Sequence, residues 1–490
     1  MLKSYIKRIL ELMFLIIRKD STSLKELSEE LQTSKRTIKE DIIRLNRLIN
    51  EQFSIKEFIV SNRSGVITIN PLYQKDALKY SYAFKLAILK SSVSFNYCVL
   101  LTTHATITKD ELLNSLYISD SYLSKQTHQL NTFFTQFGIR IASTHEQYFL
   151  TGDELAIRLF SYIFLQDSFQ SMEWPFKETS MEEIHQLIPA EIYSTSSQRS
   201  NTKKSSLYIL YAILQLRIRS GNFIQWNNMC EFSPLLELIQ ENYDVGTIFY
   251  QNGFGAIPKE HLSAELLSFN ILSRIFISDI ISTNRKIDLG NIFLTTNHPL
   301  CSLSKAVYNK IYTLDPRVSS PEKKALYTYY FTIFMLFHNF VGHTMDAFLQ
   351  LFIPVPIYHH HAKKNDSQML QIHFELAQLL SDKSQTVLMS SLVYALADSE
   401  KQPKINIYLQ MTKNFAAVYF VKNRIQALFN SNNILIVSDY AKADLVITDT
   451  LELSDRKKEI FYLDSISNEE RWDVLLHLIQ RKASQAIRNL

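Results

Sequence analysis

Ser34-Lys35-Arg36-Thr37 puts two cations between two hydroxyls; Lys39 follows closely, and Arg44 and Arg47 lie two to three turns on. Cations and short donors bunched in this way suit a nucleic-acid backbone, where Lys and Arg neutralise phosphates and Ser and Thr hydrogen-bond to them. Residues 1–70 carry 13 Lys or Arg against 9 Asp or Glu, an excess equal to the +4 of the whole 490-residue chain. A polyanion, double-stranded DNA first among them, is the partner this chemistry fits. A packed helical pair with solvated lysines is the plainer alternative.

Other chemistries lack their residues. There is no GxGxxG or GxxxxGK[ST] string, and only 9 of the 490 residues are glycine, roughly a quarter of the usual share. Cys98, Cys230 and Cys301 are far apart with no CxxC pair, which points to a reducing compartment. His359-His360-His361 has no carboxylate or cysteine cluster beside it and reads as a loop. No metal, cofactor or catalytic set is therefore expected, and the chain is not read as an enzyme.

Elements must hold the cations in place. Ser23 can cap a helix with Leu24, Leu27 and Leu31 on one face and small Ser28 beside them. Gln32-Thr33 turns the chain, and Ser34 caps a second helix striped by Ile38, Ile42, Leu45 and Ile49. Two short helices meeting at a small residue form a helix-turn-helix. Its second helix would enter the major groove, with Ser34, Lys35, Arg36, Thr37 and Lys39 near base edges and Arg44 and Arg47 near phosphate. Strand-prone 58–60 and 66–69 flank Asn62-Arg63-Ser64-Gly65, a hairpin whose tip offers Arg63 as a wing contact. Ahead of them residues 1–21 read as an amphipathic helix with Ile6, Leu10, Met13 and Ile17 on one face. The uncharged run Leu12 to Ile17 is too short for a membrane span or export core, so a cytoplasmic chain with no membrane partner is expected.

The pattern returns 85 residues later. Leu27, Leu31, Ser34, Ile38, Leu45 and Ile49 fall on Leu112, Leu116, Ser119, Leu123, Leu130 and Phe134. The second copy predicts a helix from Ser119 to Phe137, with Ser119, Ser121, Tyr122, Ser124, Lys125 and His128 toward DNA, then a hairpin from 139–141 to 148–150. Leu113 stands where Ser28 did, so the crossing needs local adjustment. Residues 71–150 are less basic, with 7 cations and 5 acids. Two modules on one chain raise each other's effective concentration on DNA. Few Asn, Gln or Arg side chains stand where bases are read, so DNA bending is a natural source of selectivity.

From 153 to 397 helix follows helix, as in 206–219, 261–282 and 321–341, with a loop over 194–206 and a break over 288–299 that divides two bundles. The last ninety residues alternate: strand 405–409, helix 416–429, strands 434–437, 445–448 and 460–463, and a closing helix from 468, a small α/β unit with a largely parallel sheet. The fold expected is mainly α and multidomain: winged helix-turn-helix domains over 1–72 and 73–168, helical bundles over 169–290 and 291–398, and an α/β domain over 399–490.

This order, with LKELSEELQTSKRTIKEDIIRLN and the echo at Ile118-Ser119-Asp120-Ser121-Tyr122-Leu123-Ser124, resembles the Mga/AtxA family of global virulence regulators of Gram-positive bacteria. The resemblance implies an activator that works with RNA polymerase. It also implies bundles like phosphotransferase regulatory domains (PRDs) and a terminal domain like a phosphotransferase IIB component. Multimers, dimers or larger, would form through the C-terminal part, and a phosphocarrier protein would phosphorylate bundle histidines. The candidates are His261 at a helix start, His298 before a proline, and His338 and His343 flanking an apolar helix end. A phosphoryl group adds about two negative charges, enough to shift a bundle interface. The chain departs from the family in that 206–219 contains no histidine. The loop Leu409-Gln410-Met411-Thr412-Lys413 also lacks the cysteine that IIB chemistry needs. A phosphotransferase component, an RNA-binding antiterminator with PRDs and a pure assembly scaffold are the competing classes.

Overall fold

A computed structural model describes residues 4–19, 21–188, 201–225, 231–245, 257–277, 280–314, 320–352, 367–380, 382–399, 404–411, 417–429, 433–450, 458–463 and 465–488. The chain divides into two compact units, one of 1–310 with 320–389 and the other of 311–319 with 390–490. The expectations on Cys230, His359-His360-His361 and Thr412-Lys413 lie outside the described residues.

The first unit opens with helix α1 (Ser4–Lys19), strand β1 (Ser21–Ser23), helices α2 (Leu24–Glu30) and α3 (Lys35–Phe53), and strands β2 (Ile59–Ser61) and β3 (Val66–Ile69). The strands form an antiparallel sheet in the order β1-β3-β2, with Thr22 opposite Ile67 and Val60 opposite Thr68. Leu27, Ile38, Leu45 and Ile49 pack with Phe58, Ile59, Ile67 and Ile69 in one core. The buried face of α1 is wider than its sequence suggested. Ile9, Leu12, Met13 and Ile16 are buried and Ile6 and Ile17 half-buried, because α1 meets α3 on one side and the next helix on the other.

That next helix, α4 (Ala77–Lys90), follows a 3₁₀ turn over Pro71–Asp76 and leads to a second module with the same element order. It consists of α5 (Val93–Thr103), β4 (Ile107–Thr108), α6 (Lys109–Leu116), α7 (Asp120–Phe134), β5 (Ile139–Thr144) and β6 (Gln147–Gly152). Its sheet order, β4-β6-β5, matches the first. Helix α7 stops at Phe134 and residues 135–137 tighten to 3₁₀ before Gly138, which takes the left-handed conformation that a side chain would resist. Helix α8 (Glu154–Phe169) then packs Phe160 edge-on against Phe134, at 5.0 Å between ring centres.

Beyond it the described helices of this unit are 181–187, 201–219, 233–243, 259–276, 283–295, most of 299–314, 321–341, 345–352, 367–379 and the start of 383–399. Three sequence boundaries are corrected. The helix expected to begin at 206 begins at Asn201, inside the expected loop, and the one expected over 261–282 ends at Phe276. The expected break over 288–299 narrows to 296–298, since 283–295 stays helical. Helix 283–295 lies so close to 321–341 that a Cβ on Gly290 would stand 2.0 Å from the Ala325 carbonyl oxygen. Arg158 of α8 reaches Glu265 through Nη1 (2.6 Å) and Nη2 (2.9 Å) and Glu154 through Nε (2.8 Å), while Arg217 donates to Glu154 at 3.0 and 2.6 Å. Two buried cations thus meet one buried carboxylate, Glu265, and one half-buried, Glu154, and their charges cancel.

The second unit is a four-stranded, wholly parallel sheet in the order β10-β9-β7-β8, from β7 (Ile405–Gln410), β8 (Ile434–Val437), β9 (Leu445–Thr448) and β10 (Glu459–Tyr462). Helices 417–428 and 469–488 bury Val421, Ile425, Trp472, Leu475 and Ile479 with Ile407 and Ile447 in its core. The Trp472 indole N–H donates to the Ile466 carbonyl at 2.9 Å. The last strand runs one residue earlier than expected.

Candidate nucleic-acid interface

Each helix-turn-helix is set by backbone chemistry that recurs at the 85-residue spacing. Ser23 and Glu26 form a reciprocal capping box on α2, and Thr108 and Glu111 repeat it on α6. Both glutamates are held below the usual carboxylate range, Glu26 first by the Thr22 hydroxyl and Glu111 first by the Thr108 amide. The turns are also alike. Gln32 and Tyr117 both adopt positive φ, and the amides of Thr33 and Ile118 donate to the carbonyls of Ser28 and Leu113 at 3.1 and 3.2 Å. Ser28 also donates its hydroxyl to the Thr33 carbonyl at 2.5 Å. Leu113, with no hydroxyl, fits the same turn through its backbone alone.

Helix α3 presents the cations. The Ser34 hydroxyl accepts from the Thr37 amide at 3.1 Å and lies 2.9 Å from the Thr37 hydroxyl, so both first serve the cap. Lys35, Arg36, Lys39 and Arg47 are exposed, Arg36 with 89% of its side chain accessible. Glu40 accepts from Arg36 at 3.0 Å and Glu51 lies 3.8 Å from Arg47, pairs open to water and easily exchanged for phosphate. Arg44 sits over the Tyr5 ring at 5.0 Å. On the opposite face Asp41, with only 4% of its side chain exposed, accepts from Arg8 of α1 at 2.5 and 3.2 Å and fixes how α3 is presented. Arg63 is exposed at the wing tip, where Gly65 takes φ +79°.

Helix α7 is similarly capped, the Ser119 hydroxyl accepting from the Tyr122 amide at 3.4 Å. Ser119, Ser121, Tyr122, Ser124, Lys125 and His128 are all exposed. Asp120, at the place of Lys35, pairs with Lys109 at 3.0 Å. The second wing turns at His145 and Glu146, both with positive φ, and has no arginine at its tip.

Sequence reasoning missed two features. Asn46 donates to the Ile59 carbonyl and accepts from the Ile59 amide, both at 2.8 Å, closing the open edge of β2. Asn131 does the same for Ile141 at 3.1 and 2.6 Å. The two asparagines are 85 residues apart, so extending the repeat beyond its apolar positions would have found them. The other is Ile43, 62% exposed beside half-buried Ile42. It was discoverable as the isoleucine left over from the buried stripe.

The candidate phosphohistidines differ in access. His343 is exposed and His261 half-buried, its ring stacked 4.8 Å from Phe223. His298 is buried and accepts from the Leu300 amide at 3.2 Å, tying down a helix start. His338 is also buried, with Nε2 at 2.8 Å from the Ser384 hydroxyl and 3.2 Å from Asp382. Burial pushes the thiols of Cys98 and Cys301 up to about 12 and about 11, away from the thiolate a nucleophile needs. Among the described residues no group of three or more His, Cys, Asp or Glu could hold a metal ion, and no single helix is long and apolar enough to cross a membrane.

Both modules coincide with known domain families. Residues 3–57 match the M protein trans-acting positive regulator (MGA) HTH domain, and residues 83–165 match the Mga helix-turn-helix domain. Two helix-turn-helix domains of the Mga type thus stand at the front of this chain. A relative in Streptococcus pneumoniae serotype 4 (strain ATCC BAA-334 / TIGR4), provisionally named a trans-acting regulator, is 24% identical over 201 residues. That stretch is 41% of this chain and 38% of the relative, so the match spans about two fifths of either protein. The Mga-type domains account for the front of the chain, including every cation of α3.

Proposed function

We propose that this chain is a DNA-binding transcriptional regulator that grips duplex DNA with both Mga-type modules and acts in the cytoplasm. The observation that carries this reading is the repetition: two modules with the same sheet order, capping boxes and edge-closing asparagines each present an exposed, capped helix. In the first, Lys35, Arg36 and Lys39 would meet phosphate or base edges, with Arg47 further along. Arg44, held at Tyr5, has less freedom to reach. In the second, Ser121, Tyr122, Ser124, Lys125 and His128 would donate hydrogen bonds, a weaker and less salt-sensitive contact.

The finer parts of the proposal concern the rest of the chain. An activator of virulence-type genes, working with RNA polymerase, fits the family. The helical region would serve as two PRD-like bundles over 169–290 and 291–398. The parallel sheet of the second unit supports a IIB-like shape over 399–490, through which copies of the chain would associate. Phosphorylation by a phosphocarrier protein would fall on His343 or His261, the candidates with access, rather than on His298 or His338.

The test is fluorescence anisotropy of the full chain with labelled duplex DNA and with single-stranded RNA, over a range of salt. Replacing Lys35, Arg36 and Lys39 together with Ala should weaken duplex binding and flatten its salt dependence by about 0.9 logarithmic units for each phosphate that is no longer neutralised. An unchanged slope would remove α3 from the interface. Preference for RNA would favour the antiterminator reading.

A further inference from the structure

Helix α3 carries one apolar side chain that its fold does not use. Ile38, Leu45 and Ile49 are fully buried and Ile42 is half-buried, and these supply the stripe that packs α3 onto the module. Ile43 is 62% exposed. At 3.6 residues per turn it lies within roughly 40° of Arg36, Lys39 and Arg47 and roughly 140–160° from Ile38 and Leu45. It therefore sits in the middle of the cationic face, nearly opposite the core. Isolated exposed apolar residues are common and mean little by themselves. This one is distinguished by its neighbours, which would hold the same face against phosphates on either side of a groove.

We infer that Ile43 is a specificity-determining residue that reads thymine in the major groove through the 5-methyl group. The inference rests on the DNA-binding reading above and deepens it. Only thymine among the four bases shows a methyl group in that groove, and an aliphatic side chain recognises it by excluding water from both. Arg36 and Arg47, one turn or two to either side, are long enough to reach phosphates while the shorter Ile43 meets a base edge. Glu40, on the same face, is occupied by Arg36 in the free protein. The second module differs here: His128 stands 85 residues after Ile43, and a polar ring gives no comparable preference. The two modules would then read DNA by different rules, the first by methyl contact and the second by hydrogen bonding.

The experiment uses the full chain and the duplex it enriches from random DNA of about 30 base pairs, roughly three helical turns. Each thymine is replaced in turn by deoxyuridine, which removes only the methyl group. The unaltered chain should lose about fourfold in affinity at one or two positions, the effect expected for one buried methyl. Ile43→Ala should bind the parent duplex more weakly and be indifferent at those same positions, while Ile43→Val should keep the discrimination. Equal losses in the unaltered chain and Ile43→Ala would overturn the inference, as would a scan in which no thymine matters, while leaving DNA binding intact. Enrichment of no duplex would overturn the DNA-binding reading and this inference with it. If Ile43→Ala left the scan unchanged but lowered the mass measured by light scattering, Ile43 would be a contact between protein chains and the inference would fail.

Discussion

Asn46 and Asn131 each satisfy an amide and a carbonyl on the outermost strand of a small sheet. An edge strand offers unpaired backbone groups that either attract water or another strand. Here a side chain from the second helix of each helix-turn-helix closes the edge, so helix and wing are fastened at a single residue. Replacing Asn46 with Leu keeps the volume and loses both bonds. With Ile59 only 3% exposed, its amide and carbonyl would be left without a partner, a cost of about 1–3 kcal/mol. Hydrogen exchange at the Ile59 amide should rise markedly in Asn46→Leu, with helices 283–295 and 321–341 unaffected. Equal protection in both proteins would mean that β3 alone holds the wing.

At the scale of elements, helix 321–341 ends against the start of helix 383–399, and His338 joins them. Its Nε2 faces Asp382 and Ser384, and Asp346 of helix 345–352 adds a negative charge nearby. Burial outweighs these partners and lowers the imidazole below its ordinary 6.5. An unfolded chain therefore binds the proton more readily than the folded one just below that value, and stability falls there as pH falls. Above about pH 6.5 the contribution is complete. Asp382 is held low, chiefly by the Ser384 hydroxyl and then the Gln385 amide. Its share is lost only in the more acidic carboxylate range. Between about pH 7.5 and about pH 5.5, exchange protection of 321–341 should decline in the unaltered chain and decline less in His338→Gln. A parallel decline in the two would assign the sensitivity to another group.

Across the first unit as a whole, the Arg158–Glu265 and Arg217–Glu154 pairs link the helix that closes the second module to two helices of the region beyond it. Arg158 is 1% exposed and Glu265 has no exposed side-chain surface. Removing one charge from such a pair costs more than removing both, because a buried ion is left uncompensated. Glu265→Gln should destabilise the unit by about 3–5 kcal/mol, read from the denaturant midpoint of the full chain. The double replacement Arg158→Met with Glu265→Leu should recover most of that stability. Should the double variant be no better than the single one, the pair would be valued for geometry that apolar packing cannot replace.

Local spacing in the chain settled a good deal. The caps at Ser23, Ser34 and Ser119, the buried stripes of α3 and α7, the two hairpins and the alternating terminal domain all follow from patterns within about twenty residues. Short-range hydrogen bonds and helical period act at that range. Element ends were less legible, as at the helix that starts at Asn201 and the one that ends at Phe276. Tertiary structure alone decided which polar residues meet. No spacing rule pairs Arg8 with Asp41, Asn46 with Ile59 or Arg158 with Glu265, because each partner lies on a different element and is chosen by how those elements pack.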